Sequence, residues 1–122
     1  MISLDGVCKA FGPRIILNGV DLEVADGRNT VIIGRSGSGK SVTLRCIIGL
    51  IQPDAGRVQV DGEVVADLDR DGLAALRGRI GYVFQFAALF DSMTVEENIA
   101  LGLKRRRFAP DEIGRASCRE RV

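Results

Sequence analysis

Eight consecutive residues, Gly34-Arg35-Ser36-Gly37-Ser38-Gly39-Lys40-Ser41, hold the densest chemistry in this chain. A glycine, four free positions and then Gly-Lys-Ser/Thr form a phosphate-binding loop when a strand leads in and a helix leads out. Gly34, Gly37 and Gly39 allow the backbone to wrap an anion with its amides pointing inward. Lys40 can then reach the β and γ phosphates, and the Ser41 hydroxyl can complete the coordination of Mg2+. The amides that open the following helix add the positive end of its dipole. ATP or GTP is the first ligand this pattern implies. Arg35, Ser36 and Ser38 belong to the cofactor-binding segment, with the Arg35 side chain read as a surface group rather than a catalytic one.

The elements needed to position such a loop are legible on both sides of it. Thr30-Val31-Ile32-Ile33 reads as a strand covered on both faces, because its apolar character is nearly continuous. After the loop, a helix begins near Lys40, with Leu44, Ile47, Ile48 and Ile51 recurring at i, i+3, i+4 and i+7. Upstream, residues 2–9 form a short strand that ends in the Ala10-Phe11-Gly12-Pro13 turn. Val20, Leu22 and Val24 alternate with Asp21 and Glu23, the pattern of a half-buried antiparallel strand.

Pro53-Asp54-Ala55-Gly56 stops the helix, and Asp61-Gly62 joins two strand edges carrying Val58 and Val60, then Val64 and Val65. Residues 68–77 are predicted to form a short helix with Leu68, Leu73 and Leu76 inward. Residues 80–84 form a second buried-type strand ending at Gln85. Thr94-Val95-Glu96-Glu97 has capping-box spacing, and Val95, Ile99 and Leu103 supply an apolar face to the helix it opens. Two strands with polar chemistry at their C-terminal ends imply an α/β sheet with ligands at that edge.

Two further residues are candidates. Phe11 lies in a turn, where an aromatic ring can stack on a base; a core phenylalanine is the alternative. Gln85 can bind Mg2+ through its carbonyl and orient water through its amide, or be an ordinary polar residue closing a strand. No residue here is recognisable as the base that activates water.

Composition narrows the class. The chain has 122 residues, 46% hydrophobic, and one domain or part of one is expected. Its apolar runs stop well short of the ~18 residues of a membrane span, and no charged leader opens it, so a cytosolic protein is expected. Cys8, Cys46 and Cys118 form neither a disulfide framework nor a metal site by spacing; Cys8 and Cys46 read as core fillers. Histidine is absent. The net charge of +1 conceals a split, with ten basic and thirteen acidic residues up to 103 and seven basic and three acidic beyond. Lys104-Arg105-Arg106-Arg107 suits a solvated helix end, or else an anionic-lipid or nucleic-acid patch.

Taken together, Phe11, GRSGSGKS at 34–41 and IGYVFQ at 80–85 resemble the first half of an ABC transporter ATP-binding subunit. The run FQFAALFDSMTVEENIA at 84–100 resembles more narrowly the ATPase of bacterial phospholipid-trafficking systems that work with MCE-type proteins. The resemblance covers residues 1 to about 108. It implies an α/β fold of P-loop NTPase, ABC ATPase type, incomplete, with an N-terminal antiparallel β portion.

It also implies that Phe11 stacks on adenine, that 34–41 is the Walker A loop, and that Gln85 senses Mg2+ and water. Residues 86–98 would help receive the transmembrane subunits. The implied assembly is a homodimer, peripheral on the cytoplasmic side of the inner membrane, bound to permease subunits and an MCE-type protein, with no nucleic acid. The family's signature motif, Walker B carboxylates, D-loop and switch histidine have no counterpart in residues 1–122. The resemblance therefore implies ATP hydrolysis and transport of phospholipid or another hydrophobic substrate for a full-length form, and binding alone for this segment. Another ABC importer, a P-loop kinase or GTPase, and an inert fragment are the alternatives. Residues 113–122 match one reading-frame translation of a common short-read sequencing adapter, with Glu112 at the junction. The expected division is a nucleotide-binding part over 1–111 and a non-native tail over 112–122.

Overall fold

The computed structural model describes residues 1–86 and 89–105, with side chains described as far as residue 101. It divides into a unit over 1–81 and a second that begins at Tyr82.

The first unit is built on a four-stranded antiparallel sheet in the order β2-β1-β3-β4, with β1 at Ile2–Phe11, β2 at Arg14–Val24, β3 at Ala55–Val60 and β4 at Glu63–Val64. Alternation in β2 is as its sequence predicts, with Val20, Leu22 and Val24 half-buried and Asp21 and Glu23 exposed. In β1, Leu4 and Val7 are both buried although three residues apart, which strict alternation forbids. Register shifts on both sides of β1 between these positions turn Val7 back toward the core. The β3–β4 connection is the tight Asp61-Gly62 turn, with φ of 50° and 84°.

Helix α1, Lys40–Ile47, lies against β2 and β3, and helix α2, Arg70–Arg79, follows a 3-10 turn at Val65–Asp67. Asp69 caps α2 by accepting from the Gly72 amide. The core joins Leu4, Val7 and Leu17 from the sheet's first two strands to Cys46 and Ile47 of α1, Val58 and Val60 of β3, and Leu76 of α2. Leu68 and Leu73 pack at its margin, as do Ile51 and Val20. Leu44 departs from the predicted helical face, being 44% exposed. Cys46 is a buried core filler, while Cys8 is half-buried and accepts the Gly19 amide at 3.2 Å.

The end of α1 is closed by the Leu50 amide on the Arg45 carbonyl at 2.9 Å and the Gly49 amide on Cys46 at 3.1 Å. Arg77 of α2 reinforces it, donating to the Ile48 and Gly49 carbonyls at 3.0 and 2.9 Å. Both predicted buried-type strands require correction. Residues 30–33 and 80–84 form no ladder among the described residues, and Val31, Ile33 and Val83 are 78%, 90% and 93% exposed. A strand exists only through its hydrogen-bonded neighbours, and the antiparallel sheet supplies none to these segments.

In the second unit, helix α3 spans Val95–Arg105. Its capping box forms as predicted: Thr94 N donates to Glu97 Oε2 at 2.8 Å and Glu97 N to Thr94 Oγ1 at 3.2 Å. Its predicted apolar face is largely open, since Val95 is 78% exposed and Ile99 43%. The Leu103 side chain, residues 87 and 88, the basic run beyond 105, Cys118 and the 112–122 tail lie outside the described residues.

Candidate phosphate-binding site

The loop at 34–41 is held from beneath by β2. Gly39 is the residue immediately before α1, with φ of 96°, and a Cβ there would lie 2.7 Å from Leu17 Cδ2 and 3.1 Å from both Ile16 Cγ2 and the Ile16 carbonyl oxygen. Only glycine combines that backbone conformation with so close an approach. The loop's own turn is closed by Ser38 N on the Arg35 carbonyl at 3.1 Å. Thr43, buried in α1, donates through both its amide and its hydroxyl to the Gly39 carbonyl at 2.9 Å. The Gly39 carbonyl is thereby turned into the helix, and no side chain caps the helix start. The first amides of α1 are left for an external acceptor.

Lys40 folds over the loop. Its Nζ donates to the Gly34 carbonyl at 2.6 Å, the Arg35 carbonyl at 2.7 Å and Ser38 Oγ at 3.3 Å. The ammonium is therefore held at the loop by neutral oxygens, which a phosphate oxygen can replace with a stronger charge-assisted bond. Gly34 leaves room for this arrangement, since a Cβ there would meet Ser38 Oγ at 2.5 Å. Ser41 stands in the first turn of α1, exposed, next to Lys40. Ser36 and the Arg35 side chain are exposed on the loop. An uncapped helix start, one lysine ammonium and one hydroxyl form a group that fits a polyphosphate with its Mg2+.

Phe11 closes β1 and is 48% exposed, so the core alternative is excluded. It pairs with Arg14 across the Gly12-Pro13 turn, and Lys9 Nζ lies 5.5 Å from its ring centroid. Asp54 braces this turn from the segment after α1. Its carboxylate takes Lys9 Nζ and the Ala10 amide, each at 2.8 Å, while its own amide donates to the Cys8 carbonyl at 2.9 Å. Lys9 first and the Ala10 amide second hold the Asp54 carboxyl below the usual aspartate range. The first unit thus brings together Phe11 and Gly34 through Ser41 on one scaffold.

Gln85 belongs to the second unit, exposed at a bend after Phe84. Downstream, Asn98 gathers the turn before α3: its Oδ1 accepts the Phe90 amide at 2.8 Å, and its Nδ2 lies 3.2, 3.3 and 2.9 Å from the Phe90, Met93 and Thr94 carbonyls. Asn98 and Asp54 escaped the sequence reading. An asparagine one residue beyond a capping box, and an aspartate in a Pro-Asp turn, were the available signals.

Residues 17–121 match the family model described as ABC transporter. The chain belongs to the ABC transporter family. A methionine import ATP-binding protein of Brucella abortus is 44% identical over 104 residues, covering 85% of this chain and 28% of that relative. A sulfate/thiosulfate import ATP-binding protein of Caulobacter vibrioides is 46% identical over 121 residues, 99% of this chain and 34% of the relative. The chain thus spans about a third of the curated relatives it matches. Among solved structures, the ATP-binding cassette MJ0796, in a dimeric post-hydrolysis state bound to ADP and phosphate, superposes with a TM-score of 0.83 at 36% identity. That match covers 93% of this chain and 52% of the other.

These matches establish an incomplete α/β P-loop fold of ABC ATPase type with an N-terminal antiparallel sheet. ATP and Mg2+ are the standard ligands of this ABC ATPase family. The comparisons also correct the resemblance to phospholipid-trafficking, MCE-associated ATPases, because the relatives that match at 41–46% identity include methionine import and sulfate/thiosulfate import ATP-binding proteins. The residues behind that narrower resemblance, 84–100, include an exposed loop and a helix cap.

Proposed function

We propose that this chain is the nucleotide-binding portion of the ATP-binding subunit of an ABC importer for a small solute. The observation that supports it most is the placement of Lys40 Nζ on the Gly34 and Arg35 carbonyls beside the uncapped start of α1. In this reading the loop amides and Lys40 hold the β and γ phosphates, Phe11 stacks on the base, and the Ser41 hydroxyl would complete the coordination of Mg2+. Bound Mg2+ supplies neutralisation of charge on the phosphate oxygens. The complete protein hydrolyses ATP as a homodimer docked on permease subunits at the cytoplasmic face of a membrane, in keeping with the dimeric MJ0796 cassette. No described helix is long and apolar enough to cross a membrane. The methionine and sulfate import relatives, at 44% and 46% identity, support import of a small polar solute.

The nucleotide assignment is tested by calorimetric binding of ATP, with GTP in competition, to the complete protein and to Lys40→Ala. ATP binding lost in the variant supports it, while equal affinity refutes it. Uptake of labelled methionine and sulfate by cells with and without the gene tests the importer reading, which fails if neither uptake changes. Residues 112–122 are proposed to be a non-native tail, which codons differing from the adapter would disprove.

A further inference from the structure

The loop has a second cation beside it, contributed by β2. At Gly37, where φ is 78°, an added Cβ would lie 3.3 Å from Arg14 Nη2, so the guanidinium rests against the crest of the phosphate loop. Lys40 is satisfied by loop oxygens, whereas the Arg14 side chain is exposed and makes no hydrogen bond or ion pair among the described residues. Five N–H donors in a rigid fork therefore stand beside the loop with no acceptor among the described residues. Their position is imposed by the strand. Ile16 and Leu17, two and three residues further along, pack on Gly39, so β2 runs beside the loop from its crest to the helix start. Pairing of Arg14 with Phe11 across the Gly12-Pro13 turn brings ring and guanidinium off a single hairpin.

We propose that Arg14 is an additional phosphate-binding residue, its fork gripping an oxygen of the polyphosphate from the crest side while Lys40 holds the chain from within the loop. This rests on the nucleotide reading above and adds a contact to it. Arginine suits the task because its planar donors match two phosphate oxygens at once, which a lysine meets only as a point charge.

The test is calorimetric binding of MgATP and of inorganic tripolyphosphate to the complete protein, to Arg14→Met, to Arg14→Lys and to Lys40→Ala. Arg14→Met is expected to weaken both ligands by about 10-fold or more, with Arg14→Lys recovering part of the loss. Thermal unfolding without ligand checks that each variant folds; if Arg14→Met does not, Arg14→Gln is read in its place with the same expectation. Affinities within twofold of the parent for both ligands, with Lys40→Ala still disabling, would overturn the role of Arg14 and leave the nucleotide site standing. Loss confined to MgATP would assign Arg14 to the base or ribose and overturn the phosphate contact. Undiminished MgATP binding in Lys40→Ala would instead remove the nucleotide reading itself.

Discussion

Replacing Gly39 by alanine probes the joint between the phosphate loop and the sheet. The backbone there has φ of 96°, which costs an L-residue about 1–2 kcal/mol. The added methyl would also lie 2.7 Å from Leu17 Cδ2 and 3.1 Å from the Ile16 carbonyl oxygen. Leu17 is 3% exposed and wedged in the core, and a backbone oxygen cannot rotate away, so overpacking adds about 1–3 kcal/mol. The expected destabilisation is about 2–5 kcal/mol, a large share of the roughly 5–15 kcal/mol that holds a domain together. Urea unfolding followed by circular dichroism measures it, with Gly78→Ala as the control. Gly78 lies exposed in α2 with nothing among the described residues within 4 Å of its added Cβ, so that change is expected to stabilise by up to about 1 kcal/mol. A Gly39→Ala unfolding free energy within about 0.5 kcal/mol of the parent would refute the argument that the loop is pressed onto β2.

Other substitutions address single contacts. Arg77→Ala strips the Ile48 and Gly49 carbonyls of their side-chain donor and is expected to cost about 1–3 kcal/mol by the same unfolding assay. Asn98→Ala removes the bonds that gather residues 90–94, so hydrogen exchange of the Phe90 amide should quicken by about 10-fold or more while the first unit's exchange is unchanged. Thr94→Ala deletes one arm of the capping box and is expected to cost α3 about 1 kcal/mol in helix stability, read from exchange of the Glu97 amide. The Asp54 carboxyl is held below its ordinary value of 3.8. Its stabilising effect is whole above that value and disappears as pH falls through the lowered one, so Asp54→Asn should flatten the acid limb of the stability profile. An unchanged acid limb would show that the bond to Lys9 contributes nothing.

How much of this was visible in the residues depended on the range of the interactions involved. The Asp61-Gly62 hairpin, the Thr94 box and the glycine-rich loop are set by neighbours within a few positions, and each appears where its pattern placed it. Leu76 of α2 likewise points inward by helical periodicity alone. Residues 30–33 and 80–84 have the composition of buried strands, but a ladder is a contact between distant segments, and none among the described residues provides it. The inward turn of Val7 rests on register shifts that pairing creates and periodicity cannot foresee. The positions of Lys40 beside the loop and of Ser41 in the first turn of α1 were legible from spacing. The bonds from Lys9 and Ala10 to Asp54 span more than forty residues and emerge only when β3 pairs with β1. The narrower resemblance drawn from 84–100 did not hold against the methionine and sulfate/thiosulfate import relatives.

The most direct measurement is amide chemical-shift perturbation of the 15N-labelled complete protein on titration with MgATP and with tripolyphosphate. If the loop grips phosphate as described, the amides of Gly37, Ser38, Gly39, Lys40 and Ser41 move first and saturate together with either ligand, and Lys40→Ala abolishes the response. Unmoved loop amides at saturating MgATP, with shifts confined to other residues, would contradict a phosphate-binding role for residues 34–41.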